Sequence, residues 1–598
     1  MPPPVAKPLT SRGPLPSSAS RPKRKPATPF AVKPIGAFYV FLGANILAAI
    51  YAPIQDCDET FNYWEPTHYI SHGYGLQTWE YSPEYAIRSW TYLAFHALLG
   101  SFRRLLPFST KVGEFYFIRY VLAFVCALCQ TQMFRVINGT LNPRIALFFM
   151  MAMIFSPGMF HASAAFLPSS FAMYTTMLGM AAFMNWRGGL KTALGMFYFS
   201  IGGILGWPFA IALSAPFLLE ELIFASLSSK DAFIDAFMRF VRGFVAGLLV
   251  LLFEFIVSGF FYKQPVVVPF NIVMYNIFSG PGRGPEIYGT EAWHFYIRNL
   301  LLNFNIWFLL AVAALPLFFL KKMLSRSPQE GGSVTGLRSI IFMSPFYLWL
   351  GIFSFQPHKE ERFMYPMYPA LALNAAMSLH IILAAFGQSD PKTLIGKIPA
   401  KLKLAVVSIT MIGSIDVGVA RIYGIYSAYS APLKIYEPLQ NSTIGMRGES
   451  VCFGKEWYRF PSSYHLPNDM RAKFVKSEFD GLLPGEFSEA KTGFWAGAWL
   501  VPPGMNDLNQ EDMGKYVDLQ TCSFLVDTYY PGSQSSKHEP HYILDEDNWE
   551  KVACEPFLDA SQTHILARTL WLPNLSLIPE KYRRHWGEHC LLKHKKKA

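Results

Sequence analysis

The sequence predicts a multipass α-helical membrane protein of about eleven transmembrane helices, with a C-terminal α/β-type domain outside the bilayer. Three observations carry this. Hydrophobic residues make up 52% of the chain and charged residues only 16%, against about 25% charged in a soluble domain. Apolar runs of membrane-spanning length, about 17–25 residues, recur from Ile35 to Gly424. Residues 428–598 then lose those runs and carry Trp457, Trp495, Trp499, Trp549 and Trp571 among polar segments, enough large apolar groups for a modest core.

In chain order, the first element is a leader, residues 1–34, rich in Pro and Ser. It holds Lys7, Arg12, Arg21, Lys23, Arg24, Lys25 and Lys33 and no acidic residue, so it is expected to be disordered and cytosolic. It has neither the compact basic region nor the cleavage site of a signal peptide, and the first span should stay as an anchor. Candidate spans follow at 35–54, 113–136, 144–161, 168–186, 189–206, 207–225, 239–261, 301–320, 336–356, 364–387 and 402–424. Gly206-Trp207-Pro208 leaves open whether 189–225 is two helices or one broken helix. An odd number of spans puts the termini on opposite sides.

Charge sets the orientation. Arg135 and Arg144, Arg187 and Lys191, Lys321, Lys322 and Arg338, and Lys392, Lys397 and Lys401 all fall on the cytosolic side. Loops 55–112, 262–300 and 357–363 and the domain 428–598 fall on the other. That domain also carries Asn441-Ser-Thr and Asn574-Leu-Ser, glycosylation acceptor patterns. Its Cys452, Cys522, Cys554 and Cys590 suffice for two disulfides in an oxidising compartment. Cys126 and Cys129 lie inside a span and read as packing residues. Asn138-Gly-Thr reads as a chance match on the cytosolic side. The formal net charge of +11 resides largely in the leader, the cytosolic loops and the closing basic run, so it predicts no nucleic-acid partner. The end, Lys595-Lys596-Lys597-Ala598, is similar to a dilysine retrieval signal, but this topology puts it in the lumen, and it reads as a chance basic end.

The chemistry concentrates in the non-cytosolic loops. Directly after the first span the chain reads Asp56-Cys-Asp58-Glu59-Thr-Phe-Asn-Tyr-Trp64-Glu65-Pro. Crowded carboxylates at a membrane mouth repel one another and lose hydration, which raises their pKa values and destabilises the fold. Such a cluster is expected to act on a polar substrate, the plain alternative being a solvated acidic loop. Its natural partner is His358-Lys359-Glu360-Glu361-Arg362-Phe363 on the same side. Lys359 and Arg362 are three apart and would share a face on a helical turn, a cationic pair suited to a phosphate; Glu360 and Glu361 offer the alternative of plain neutralisation. Arg88 follows in the stretch Leu76–Ser89. Trp64 with Glu65, Trp79 with Glu80, and Tyr288 with Glu291 are candidates for sugar binding, since Trp and Tyr stack on sugar faces, although they also mark membrane interfaces. The stretch 85–107, with Arg88, Arg103 and Arg104, is too charged to span and reads as an interfacial helix. No HExxH, Cys/His array or Walker pattern is present, so neither a metal site nor a nucleotide site is expected.

These stretches, with Gly284-Pro-Glu-Ile-Tyr-Gly-Thr-Glu291, resemble glycosyltransferase family 22, multipass mannosyltransferases of the GT-C fold. The resemblance covers nearly the whole chain from about residue 35 on. Ala292 stands where the family pattern suggests Pro, which puts nothing catalytic in doubt. The longer first-loop sequence points to members that add α-1,2-linked mannose to lipid-linked oligosaccharide in the endoplasmic reticulum. The resemblance implies dolichyl-phosphate-mannose as donor, two separate additions, inversion at C1, no cofactor and no metal. It implies a lumenal site in a multipass membrane protein, with the lipid bilayer and the two lipid-linked substrates as partners and no obligate protein partner. Asp58 is assigned as the base, Glu59 as its competitor, and Asp56 or Glu59 as the group that tunes it or orients the acceptor. Lys359 and Arg362, helped by His358 and Arg88, would balance the phosphate. A sister enzyme acting on glycosylphosphatidylinositol precursors is the near alternative. A transporter is the distant one, disfavoured because no inverted repeat is visible.

Overall fold

Proline and glycine decide where the apolar stretches break. The computed structural model describes residues 31–107, 109–185, 191–280, 282–324, 333–388, 390–490, 496–573 and 575–595. The leader up to residue 30, Arg187, Trp495, Asn574 and the last three residues, which bear on readings above, lie outside the described residues. All eleven candidate segments contain helix. Seven helices are long and apolar enough to cross a membrane: Pro34–Tyr51, Lys111–Thr140, Pro208–Ser228, Lys230–Tyr262, Gly336–Phe355, Glu361–Phe386 and Ala400–Tyr429. Ile306–Val312 and Ala314–Leu324, bent by 53°, make an eighth if they form one span.

The other three candidates are broken or fall short of the roughly 20 residues of a typical straight span. Segment 144–161 divides into Pro143–Phe155 and Pro157–Ala162. Segment 168–186 is the 17-residue helix Pro168–Met184. Segment 189–206 is Lys191–Ile201 running into a wide π turn at Gly202–Gly206. Ser156, Leu167 and Trp207 each precede a proline and each is extended, because the proline ring clashes with a helical residue before it. The wide turn requires its glycines: side chains of Thr175 and Ile211 already occupy the space that a Cβ at 202 or 203 would fill.

The stretch between the first two long helices is folded rather than loose. A short turn, Cys57–Trp64, runs into the helix Glu65–His72. Gly73 ends that helix at φ +83°, the left-handed conformation glycine adopts without strain. Strand β1 (Leu76–Gln77) and the turn Trp79–Tyr81 follow. The expected interfacial helix starts at Trp90 rather than Tyr85, because the Ser89 hydroxyl accepts the Tyr92 amide at 3.1 Å and caps it. It ends at Arg104 and exposes Phe95, Leu98 and Phe102.

Six more strands follow: β2 (Ser450–Phe453), β3 (Arg471–Phe474), β4 (Gly485–Glu486), β5 (Phe524–Tyr529), β6 (Trp549–Leu558) and β7 (Trp586–His594). Five of them form a mixed sheet in the order β3-β2-β5-β7-β6, parallel through β5 and antiparallel beyond it. Its helical part among the described residues is limited to single turns such as Ile565–Thr569. The disulfides join Cys452 to Cys522 and Cys554 to Cys590. The expected tryptophan core is corrected here: Trp549 is buried, but Trp457 and Trp499 are half-buried, Trp571 is exposed, and Phe453, Phe460, Phe524 and Leu591 fill the centre.

The tail is stitched to the first loop. Strand β4 pairs with β1, and Phe61 and Leu76 of the loop belong to the tail's own core. Beneath them Glu65, fully buried, accepts the Ser463 amide at 2.6 Å, the Ser462 and Ser463 hydroxyls at 3.0 and 2.9 Å, and the Leu76 amide at 3.0 Å. Glu65→Ala strands four donors, and it should cost about 3–5 kcal/mol, read as a lower Tm in detergent together with faster proteolysis of the tail.

Candidate active site

The first turn after the first helix aims two carboxylates the same way. Asp56 is extended and its Oδ1 accepts the Asp58 amide at 2.9 Å, so Asp56 caps the turn. Arg362, at the start of the turn Glu361–Met367, reaches across. Its Nη1 lies 3.1 Å from Asp56 Oδ2, its Nη2 donates to Asp58 Oδ2 at 2.6 Å, and its Nε pairs with Glu360. Arg88 approaches from the other side: Nη1 donates to the Tyr63 hydroxyl at 2.5 Å, Nε pairs with Glu80, and Nη2 lies 3.8 Å from Asp58 Oδ2. Asp56 has both oxygens engaged. Asp58 Oδ1 accepts no hydrogen bond among the described residues, and the side chain is 30% exposed.

These groups line a cavity of about 500 Å³. One wall is apolar and comes from the broken helices, with Leu167, Pro168, Leu205 and Trp207; Ile272 and Phe363 extend it. The tail closes another side with Trp457, Phe479, Pro484, Met505 and Asn509. Within the cavity four carboxylates (Asp56, Asp58, Glu80, Glu360) face two guanidiniums (Arg88, Arg362) and the imidazole of His358. Burial pushes Asp56 up to about 7 against the pull of Arg362, with Glu360 and Asp58 adding to the rise. Burial also opposes the charge of Asp58, but Arg362 and Arg88 outweigh it and hold that carboxyl below its ordinary value. Burial lowers His358 less than its contacts to Glu360 and the Gly289 carbonyl raise it, so it ends above the ordinary 6.5. Its ring nitrogens lie 2.9 Å from Glu360 Oε1 and 2.8 Å from Gly289 O. Asp56, Cys57 and Asp58 could offer ligand atoms within 4.8 Å of one another, but the cation seated on both carboxylates is Arg362.

Several expected site residues lie elsewhere. Glu59 is buried, and its Oε1 accepts Trp64 Nε1 at 3.1 Å and the Phe166 amide at 3.0 Å; it braces the turn and does not face the cavity. Trp64 is fully buried between Phe115 and Phe166, with ring centroids 4.2 and 4.8 Å away, so it offers no face to a sugar. Glu65 is the clamp described above. Lys359 turns away from Arg362: its Nζ donates to the backbone carbonyls of Glu291, at 2.7 Å, and Gln356. The three-residue spacing presumed a helical turn, but Glu360 is extended and the turn begins at Glu361. Glu291 contributes its backbone to that contact while its side chain is exposed. Trp79, Glu80 and Tyr288 do line the cavity, and Trp79 Nε1 donates to the Tyr288 hydroxyl at 3.2 Å.

Comparison with known proteins places the chain in a family. The sequence profile described as the Alg9-like mannosyltransferase family matches residues 36–467. The chain belongs to that family. An alpha-1,2-mannosyltransferase alg9 of Schizosaccharomyces pombe is 40% identical over 577 residues, covering 96% of each chain. A GPI mannosyltransferase 3 of Candida albicans is 25% identical over 339 residues, 56% of this chain and 61% of that one. In fold, the chain is similar to the crystal structure of ArnT from Cupriavidus metallidurans bound to undecaprenyl phosphate. The TM-score is 0.50 at 11% identity, covering 83% of this chain and 93% of that one. The chain is thus a mannosyltransferase, and its stretches 56–66 and 358–363 meet at Arg362.

The loop sequence around Arg88 does not by itself reveal what holds it. Tyr262 donates to the Arg88 carbonyl at 2.7 Å, and Glu254, fully buried in the helix Lys230–Tyr262, accepts the Ser89 hydroxyl at 3.0 Å and the Ser258 hydroxyl at 2.6 Å. The signal was legible, since a carboxyl inside an apolar span seldom stands there without a task. Glu254→Ala and Tyr262→Phe should each lower kcat about tenfold, roughly 1.4 kcal/mol. In an Arg88→Ala background they should add nothing further, the non-additivity expected when one group acts through another.

Proposed function

We propose that this chain transfers mannose from dolichyl-phosphate-mannose to lipid-linked oligosaccharide in α-1,2 linkage, at two separate additions, in the endoplasmic reticulum membrane. The cavity and the tail face the lumen and the N-terminus faces the cytosol. The observation that carries the reading is Arg362 holding Asp56 and Asp58 in a cavity whose lining also includes the apolar Leu167, Leu205, Trp207, Ile272 and Phe363. A lipid-borne phosphosugar presents those two characters together.

The donor is β-linked and the product α-linked, so the acceptor 2-hydroxyl attacks C1 from the face opposite the phosphate. The new C1–O bond forms as the C1–O(phosphate) bond breaks, and dolichyl phosphate leaves with the electron pair. Asp58 takes the hydroxyl proton on Oδ1, its oxygen without a protein donor. Arg88, Arg362 and protonated His358 face the departing phosphate. Trp79 and Tyr288 form an aromatic rim for sugar. With dolichyl phosphate already a fair leaving group, the reaction runs without a metal. The partial coverage of the glycosylphosphatidylinositol enzyme favours the oligosaccharide acceptor over its precursor lipids.

Purified enzyme should move mannose from dolichyl-phosphate-mannose to lipid-linked oligosaccharide in the presence of a chelator; transfer to a glycosylphosphatidylinositol precursor instead overturns the acceptor. Asp58→Asn should lose at least about a hundredfold in kcat with donor affinity retained, whereas Glu59→Gln should act mainly on stability. Lys359→Ala should leave donor KM near wild type.

Charge also sets a pH dependence. Glu360 and the Gly289 carbonyl hold His358 above its ordinary value. Below about 7 Asp56 is protonated, and above it Asp56 ionises and adds a negative charge to the cavity. Donor KM should therefore rise as pH passes through about 7, and Asp56→Asn should flatten that rise, measured from initial rates between pH 6 and 8.5.

A further inference from the structure

One stretch of the tail is fastened to a spanning helix at the level of the bilayer surface. The helix Ala400–Tyr429 begins beside Lys401 and Lys403. Roughly 20 residues on from these lysines, the length that crosses the hydrocarbon core, it reaches the level of Tyr423. There Trp571 N donates to Ala420 O at 2.9 Å and Arg421 Nη1 to Thr569 O at 3.3 Å. Arg584 Nη1 donates to Gly424 O at 3.1 Å and to Ser427 Oγ at 2.8 Å. Gly424 makes the approach possible, because a Cβ on it would lie 2.9 Å from both Arg584 Nη2 and Trp571 N. The Trp571 ring meets Tyr423 edge-on at 5.1 Å, a Trp–Tyr pair at the depth where such residues mark the membrane boundary.

Around this fixed point the tail leaves large apolar side chains bare. Leu577 is 89% exposed, Ile565 60%, Leu575 55%, Leu566 50% and Trp571 38%. The exposed Arg568 and Lys581 stand beside them. The sheet does not cover this group, and its attachment is continuous with the exposed apolar surface of the helix Ala400–Tyr429, which carries Val417 and Val419. We propose that Ile565, Leu566, Trp571, Leu575 and Leu577 form an interfacial anchor. Their side chains sit in the boundary layer of the bilayer, with Arg568 and Lys581 among the headgroups. The anchor fixes the height of the tail above the membrane, and with it the wall that Trp457 and Asn509 contribute to the cavity.

The test uses the full-length chain in phosphatidylcholine nanodiscs, with Cys57, Cys126 and Cys129 replaced by Ser and Leu577→Cys carrying an environment-sensitive fluorophore. The label should be blue-shifted, quenched by nitroxide lipids and shielded from iodide, relative to the same label at Met513→Cys on the exposed tail surface. Quenching by iodide and not by nitroxide lipids would place Leu577 in water and overturn the proposal. Protection from both quenchers would place it against protein and overturn it equally. Leu575→Cys, read the same way, keeps the test decisive if Leu577→Cys does not fold.

Discussion

Everything in the site is arranged around one guanidinium. Arg362 lies within 3.1 Å of Asp56 and 2.6 Å of Asp58 and also pairs with Glu360, so it makes a cluster of acids at a membrane mouth tolerable. Without it the like charges would repel one another at short range. The planar fork suits this task, because it engages three carboxylates in fixed directions, where an ammonium would act as a point charge. The same contact joins the first loop to the turn before the helix Tyr368–Phe386, segments separated by about three hundred residues of chain. The geometry of the candidate site and a long-range tertiary contact are therefore one interaction.

A second constraint is the tail's attachment to the first loop. Glu65 and the β1–β4 pair hold the tail over the cavity, and Phe61 and Leu76 are shared between the loop and the sheet's core. A cavity so closed lowers the dielectric around Asp56, which is why that carboxyl rises while Asp58, nearer both arginines, falls. Two acids two residues apart thus acquire opposite tendencies from their surroundings. Proximity in sequence did not determine that difference; the positions of Arg88 and Arg362 did.

The fold was legible wherever composition alone decides it. Long apolar runs gave helices, the loss of those runs marked the sheet, and an acidic stretch facing His358-Lys-Glu-Glu-Arg362 pointed to the site. What failed were inferences needing side-chain direction. Glu59 and Trp64 sit in the motif, yet both are buried at the π turn Thr60–Trp64, where Glu59 accepts the Trp64 indole N–H and the Phe166 amide and Phe115 packs on the indole. Lys359 looked like a partner of Arg362 by spacing, but an extended Glu360 points the two apart. The tail residues at the cavity were invisible, because only the folded chain brings Trp457 and Asn509 beside Asp58.

The segments whose spans were hardest to count have a common cause. Leu167, Pro168, Leu205 and Trp207 all lie at helix breaks, and all line the cavity. A broken helix frees backbone polar groups, and in a bilayer these can be tolerated only against protein or a water-filled cavity. The breaks therefore belong beside the site and not against lipid. The π turn and the extended Trp207 after it end the helix there and supply part of the cavity's apolar lining. An interruption that weakens a transmembrane prediction is, in this chain, part of what lines the cavity.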